Sequence, residues 1–257
     1  MWYTPYLRVR HAVIVYAYIA VGISLAAIAL RFWPGAEHAS RAVASVRVDL
    51  SMILSIATAF VGGLATVLGL NLAAENDGHL ELAWTKPVSR EGYALGVFGV
   101  DIVAMAIAIL FTTLLAAIVI DVYAGFQVVH LSNAGDSVEA LLYCGLPLLV
   151  YAWVTALSAS LKRNRGAAAA IFWPLMLALA LLSLIPVAAV LAVATTLNLF
   201  NPVVLYTTSH GSSDVQNGGA TAHLAVHLAP VWGFAWGWAV AALLLAASVF
   251  QWRRLQL

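Results

Sequence analysis

The chain has 257 residues, of which 63% are hydrophobic and only 9% charged, with a formal net charge of +1. Soluble domains carry about 25% charged residues, so this balance excludes an ordinary water-soluble enzyme and, with no basic patch, a nucleic-acid partner. One cysteine, Cys144, excludes an intrachain disulfide.

A helix crosses a bilayer with about 20 mostly apolar residues. Six such runs, at about 12–33, 49–70, 93–120, 139–161, 166–196 and 229–251, predict an all-α, polytopic membrane protein. They make one transmembrane domain over 1–257, with six transmembrane helices and no room for a separate soluble domain. The alternating strands of about ten residues that mark a membrane barrel are absent from the sequence.

The first run follows Arg8, Arg10 and His11. At about 20 residues it exceeds the apolar region of a signal peptide, about 7–15 residues, and reads as a retained signal-anchor. The second opens at Asp49, a charge suited to the outer interface. The third is long and holds Asp101 about eight residues in, where a carboxylate costs about 2.5–3.5 kcal/mol unless it faces protein or water. Two readings of Asp101 stand. Either it lines the inner mouth of a translocation path or pairs with an Arg of the cytoplasmic side, or the helix starts deep in the cytoplasm and Asp101 sits among headgroups. Asp121, about 30 Å further along a helix, belongs at the outer end.

The fourth run contains Cys144, read as a packing residue, and Pro147. The fifth is again long and carries Pro174 and Pro186, which predict tilt or kinks. Residues 197–227 form the longest outer connection, marked as loop by Asn201-Pro202 and by Gly, Ser and Asn after Ser209; 202–206 is apolar but too short to cross. In this connection His223 and His227, spaced i, i+4, could share one helical face toward a metal, with His210 and Asp214 nearby in sequence. The stretch HLAVH lacks the Glu of H-E-x-x-H, so it is not a metalloprotease motif. Two interfacial histidines without metal are the simpler reading. Trp232, Trp236 and Trp238 at the start of the sixth run, and Trp252 near its end, read as interfacial anchors. Gly233-x-x-x-Gly237 would permit close helix contact.

Positive charge orients the chain. With the N-terminus inside, Arg8, Arg10, Lys86, Arg90, Lys162, Arg163, Arg165, Arg253 and Arg254 fall on the cytoplasmic side, against Arg31, Arg41 and Arg47 outside. Nine against three predicts cytoplasmic termini and a cytoplasmic segment at 71–92.

That segment, NLAAENDGHLELAWTKPVSREG, concentrates charge where a plain connection needs only a handful of polar residues. Asn76-Asp77-Gly78 predicts a turn. A short helix over about 79–85 would follow, with Leu80, Ala83 and Trp84 on one face, ending before Pro87. Ser89 reads as the N-cap of the third span. Glu75, Gly78, Leu80, Glu81, Leu82, Pro87, Val88, Ser89 and Arg90 fall as E-x-x-G-x-L-E-L-x-x-x-x-P-V-S-R. This pattern resembles the first cytoplasmic loop of the ABC-2 type permeases, the membrane subunits of one class of ATP-binding-cassette transporter. The likeness covers about 25 residues. His79 departs from it where Thr or Ser is common, and Asn76-Asp77 replaces an often basic stretch.

The resemblance implies a coupling helix between spans two and three, docking onto an ATPase through Glu75, Gly78, Leu80, Glu81, Leu82, Trp84, Pro87 and Arg90. It also implies two separate ATPase subunits, a second copy of this chain or a related permease, location in the cell inner membrane, and export as the commoner direction. No G-x-x-x-x-G-K-[ST] motif occurs, so no catalytic residue or cofactor is assigned to this chain, and ATP and Mg would belong to the partner. Two other classes stay open: a metal-dependent membrane enzyme or metal-handling protein using His223 and His227, and a scaffold or sensor that binds a partner through the 71–92 segment.

Overall fold

The computed structural model describes residues 3–33, 48–75, 90–124, 129–130, 143–160, 165–182, 185, 187–202, 214–217, 220–223 and 230–254. Seven helices carry the fold among these residues: α1 (Tyr3–Arg31), α2 (Leu50–Glu75), α3 (Arg90–Ala124), α4 (Gly145–Ser160), α5 (Arg165–Leu182), α6 (Ala188–Asn198) and α7 (Pro230–Arg254). Strand is confined to two short pairs. The first sets β1 (Val48–Asp49) parallel to β2 (Val129–His130). The second is an antiparallel hairpin of β3 (Asp214–Asn217) and β4 (Ala220–His223).

The helices are those of a membrane-embedded protein. Val9–Arg31, Ile53–Leu70 and Gly92–Tyr123 are long and apolar enough to cross a bilayer, and Gly145–Ser158, Ala167–Leu182 and Ala235–Phe250 are shorter apolar helices. Large apolar side chains cover the outer faces: Tyr18, Leu25 and Leu30 on α1, and Val103, Ile107, Leu110 and Leu114 along one face of α3. An apolar surface of this extent marks contact with lipid or protein. The inward face of α3 is Ala94, Val97, Phe98, Ala104, Met105 and Ala108. Its small residues let neighbouring helices approach closely, the packing that works where lipid is as apolar as the core.

α4 is the central post. Leu146, Leu149, Val150, Tyr151, Ala152, Val154 and Thr155 are all buried, so nearly its whole circumference is covered. It packs most extensively on α2 and α7, with α3 and α5 also in contact, while α1 lies mainly on α3. Two hydrogen bonds pin α1 there: Tyr16 Oη to Thr112 Oγ1 at 2.6 Å, and Tyr123 Oη donating to the Ala27 carbonyl at 2.7 Å. α2 reaches α4 so closely at Gly69 that a Cβ there would sit 2.9 Å from Val154 Cγ1. At the other end of α4, a Cβ on Gly145 would overlap the Trp238 indole. Cys144, just before α4, is half-buried beside the core, in keeping with a packing role.

α2 extends past its apolar stretch to Glu75, and α3 opens at Arg90, directly after Ser89. At 35 residues, α3 is about 52 Å long, well beyond the roughly 30 Å of hydrocarbon. Pro147 does not kink α4. It lies in the first turn, where its missing N–H would have had no helical partner.

The single long fifth span expected over 166–196 is replaced by two helices. α5 ends at Leu182 and α6 begins at Ala188, flanking Pro186, which has no N–H and disfavours helix at the residue before it. The chain then turns back. Asn201, just past α6, donates from Nδ2 to the Met176 carbonyl at 2.8 Å, whereas a continuous helix would hold those residues about 37 Å apart. α5 and α6 therefore form a helical hairpin whose second arm ends level with the middle of the first. Pro174 remains inside α5.

Candidate functional site

Asp101 stands in phase with the buried face of α3, three residues after Phe98 and three before Ala104, and is fully buried. It lies eleven residues beyond Arg90, about 16 Å along the helix. The carboxylate is enclosed by the protein. Tyr151 of α4, also fully buried, donates from Oη to Asp101 Oδ2 at 2.6 Å. The Tyr151 ring meets Phe98 edge-on, with centroids 6.1 Å apart and planes at 89°. Phe98 and Asp101, one turn apart on α3, thus hold the ring and the hydroxyl of one side chain.

Tyr151 begins a polar stripe. Thr155 and Ser158 follow at i+4 and i+7 on α4, which places all three on one face. Both are buried, at 0% and 3% exposure, and Thr155 Oγ1 and Ser158 Oγ have no hydrogen-bond partner. Other hydroxyls in these helices behave differently. Ser24, Thr58, Thr66, Thr113, Thr196 and Ser248 each donate to a carbonyl three or four residues back, the usual resolution in an apolar setting. Thr155 lies where α2 comes closest, since its backbone N would be 3.3 Å from a Cβ on Gly69. The site is a buried carboxylate capped by a phenol, continued by two orphan hydroxyls toward the Ser160 end of α4.

Tyr151, Thr155 and Ser158 were not singled out from the sequence. The signal was there: i, i+4, i+7 polar spacing inside an otherwise apolar run is one face of a helix.

Of the docking residues, Glu75 closes α2 and Arg90 opens α3. Gly78, Leu80, Glu81, Leu82, Trp84 and Pro87 lie outside the described residues. For the histidine pair the expected helix is corrected. His223 is in strand β4, opposite Asp214 in the hairpin register, so i, i+4 spacing does not give it a shared helical face with His227, which lies outside the described residues. Among the described residues no group of three or more His, Cys, Asp or Glu is placed to hold a metal.

Two tryptophans expected only as interfacial anchors have specific partners. Trp236 donates from Nε1 to the Leu199 carbonyl at 2.9 Å and packs edge-on against Phe200. Trp238 covers Gly145. No family model, curated protein or solved structure matches the chain.

Proposed function

We propose that this chain is the membrane-spanning subunit of an ABC-2 type transporter. In this reading it crosses the inner membrane six times with both termini in the cytoplasm, and it forms the translocation path as a dimer with a second copy or a related permease. Two separate ATPases, which bind ATP and Mg, dock on residues 71–90, and export is the favoured direction. The observation that carries the reading is the E-x-x-G-x-L-E-L-x-x-x-x-P-V-S-R pattern lying between Glu75, the last residue of α2, and Arg90, the first of α3. Those two helices pack on each other, and one carries Asp101 while the other meets α4 beside Thr155. A displacement of the docked segment would reach both walls of the polar seam without an intermediary. ATP would supply the bias by binding the closed ATPase pair more tightly than the open one. The long connection at 197–227 fits the same reading, since related permeases often have a small extracellular or re-entrant element between the last two spans.

Affinity purification from the native membrane tests this. An ATPase should co-purify with the wild-type chain and be lost from Gly78→Pro and Glu75→Ala variants that still enter the membrane. Vesicles that move cargo at full rate with no nucleotide-hydrolysing companion would refute it, as would a Gly78→Cys variant labelled only from outside the cell.

A further inference from the structure

We propose that α6 and the turn after it form a strap, hinged at the break between α5 and α6 and fastened at its tip to both α4 and α7. The strap opens as one unit while the rest of the bundle stays folded. Its arm is lightly packed. Among the described side chains of α6 only Ala194 and Asn198 are buried, whereas Val193 and Leu197 are 59% and 41% exposed. α5 is its one extensive neighbour among the described elements. The hinge end has no side-chain cap: Val187 is extended, at φ −110° and ψ 119°, and gives α6 no side-chain hydrogen bond. A segment with so few buried apolar contacts opens at lower cost than the core beside it.

The tip is held by other means. Trp236 of α7 donates from Nε1 to the Leu199 carbonyl, and Trp153 of α4 to the Phe200 carbonyl, both at 2.9 Å. The Phe200 and Trp236 rings meet with centroids 5.7 Å apart. Asn201, fully buried, donates from Nδ2 to the Met176 carbonyl at 2.8 Å and to Asn198 Oδ1 at 3.1 Å. The two indoles thus serve adjacent carbonyls from two different helices. Hydrogen bonds weaken steeply away from their preferred distance and angle, so both fasten together only while α4 and α7 keep their mutual position. Closure of the strap is therefore conditional on the α4–α7 pair, and opening frees that pair at the depth of Trp153. The device needs no ATPase and stands apart from the transport reading.

Hydrogen exchange of the full-length protein in detergent micelles, read by mass spectrometry, tests it with Trp153→Phe, Trp236→Phe and the double variant. Each single variant should speed exchange across 189–201 together by about fivefold, the factor for one net hydrogen bond. The double variant should speed it by about twenty-five-fold, with α2 and α4 unchanged. A rise confined to 198–201 overturns the strap, because the arm would then not move with its tip. So does a single variant without effect, since one helix would then suffice, and so does an equal rise in α2, which is general loosening. A second measurement uses N-ethylmaleimide on Ala194→Cys in a Cys144→Ala background, with Ala168→Cys, fully buried on α5, as the control. Trp153→Phe should speed labelling at 194 about fivefold and leave 168 unchanged. An unchanged rate at 194, or an equal rise at both positions, overturns the proposal.

Discussion

Tyr151→Phe removes the phenol hydrogen bond to the buried Asp101 carboxylate. The substitution removes Oη and keeps the ring, so the edge-on contact with Phe98 at 6.1 Å survives and no cavity larger than one oxygen appears. The lost bond is 2.6 Å long, within the range of about 2.5–2.7 Å for a hydroxyl on a carboxylate. Such bonds net about 1.5–3 kcal/mol in proteins. Polar contacts between membrane helices average about 0.6 and reach about 1.7 kcal/mol, because a helix separated within the bilayer still finds partners. Both residues are fully buried, which argues for the upper end of the membrane range. The expected cost is therefore about 1.5 kcal/mol, roughly tenfold in the unfolding equilibrium. Equilibrium unfolding in mixed micelles with increasing dodecyl sulfate, followed by tryptophan fluorescence, measures it. In an Asp101→Ala background the same substitution should cost less than about 0.5 kcal/mol, since the acceptor is gone. A cost near zero in the wild type, or an equal cost in both backgrounds, would show that the phenol does not hold the carboxylate.

Three further outcomes follow from the packing. Gly69→Ala forces a Cβ to 2.9 Å from Val154 Cγ1 and should destabilise by about 1–3 kcal/mol; Val154→Ala should recover part of that loss in the double variant, read by the same unfolding assay. Trp153→Phe and Trp236→Phe each remove an indole donor from a carbonyl past α6 and should cost about 1 kcal/mol apiece. They should also speed amide hydrogen exchange over 198–201, while exchange in α2 stays unchanged. Pro147→Ala should shift stability by less than about 0.5 kcal/mol, because the first-turn position has no helical bond to regain, and a larger loss would mean that the proline shapes α4.

The helical, membrane-embedded class was legible because hydropathy over about 20 residues reports burial in lipid directly. The ends of α2 and α3 were legible too, since the charges that begin at Glu75 and stop at Glu91 mark where the apolar stretches end. The environment of Asp101 was only half legible. Its phase with Val97, Phe98, Ala104 and Ala108 could be counted along α3, but whether that face meets lipid or protein is decided by α4, and no local pattern contains that fact. Both faces of α3 are predominantly apolar, unlike those of the soluble helices for which amphipathic reading works, so apolar periodicity alone does not tell the two faces apart. His223 was misplaced for a different reason: i, i+4 spacing describes a face only if the backbone is helical, and it is strand there.

The α5–α6 hairpin shows why a run of apolar residues does not count spans. Thirty apolar residues have the same hydropathy whether they cross once or turn back, so the distinction rests on what satisfies the backbone at the break. Inside a bilayer, an interrupted helix persists only where its freed carbonyls find partners in the protein. At the end of α6 four carbonyls in a row do. The Leu197 and Asn198 carbonyls accept from the backbone N–H groups of Phe200 and Asn201, both at 3.1 Å. The Leu199 carbonyl accepts from Trp236 Nε1 and the Phe200 carbonyl from Trp153 Nε1, both at 2.9 Å. Four consecutive acceptors are thus covered, two of them by indoles from α7 and α4, and Asn201 is held against Met176 of α5. The donors come from helices distant in sequence from the turn they stabilise. Pro186 alone marked where the helix would break; that the chain then reverses, rather than resuming after a kink, follows from Trp153, Trp236 and Met176 waiting at the depth where α6 ends.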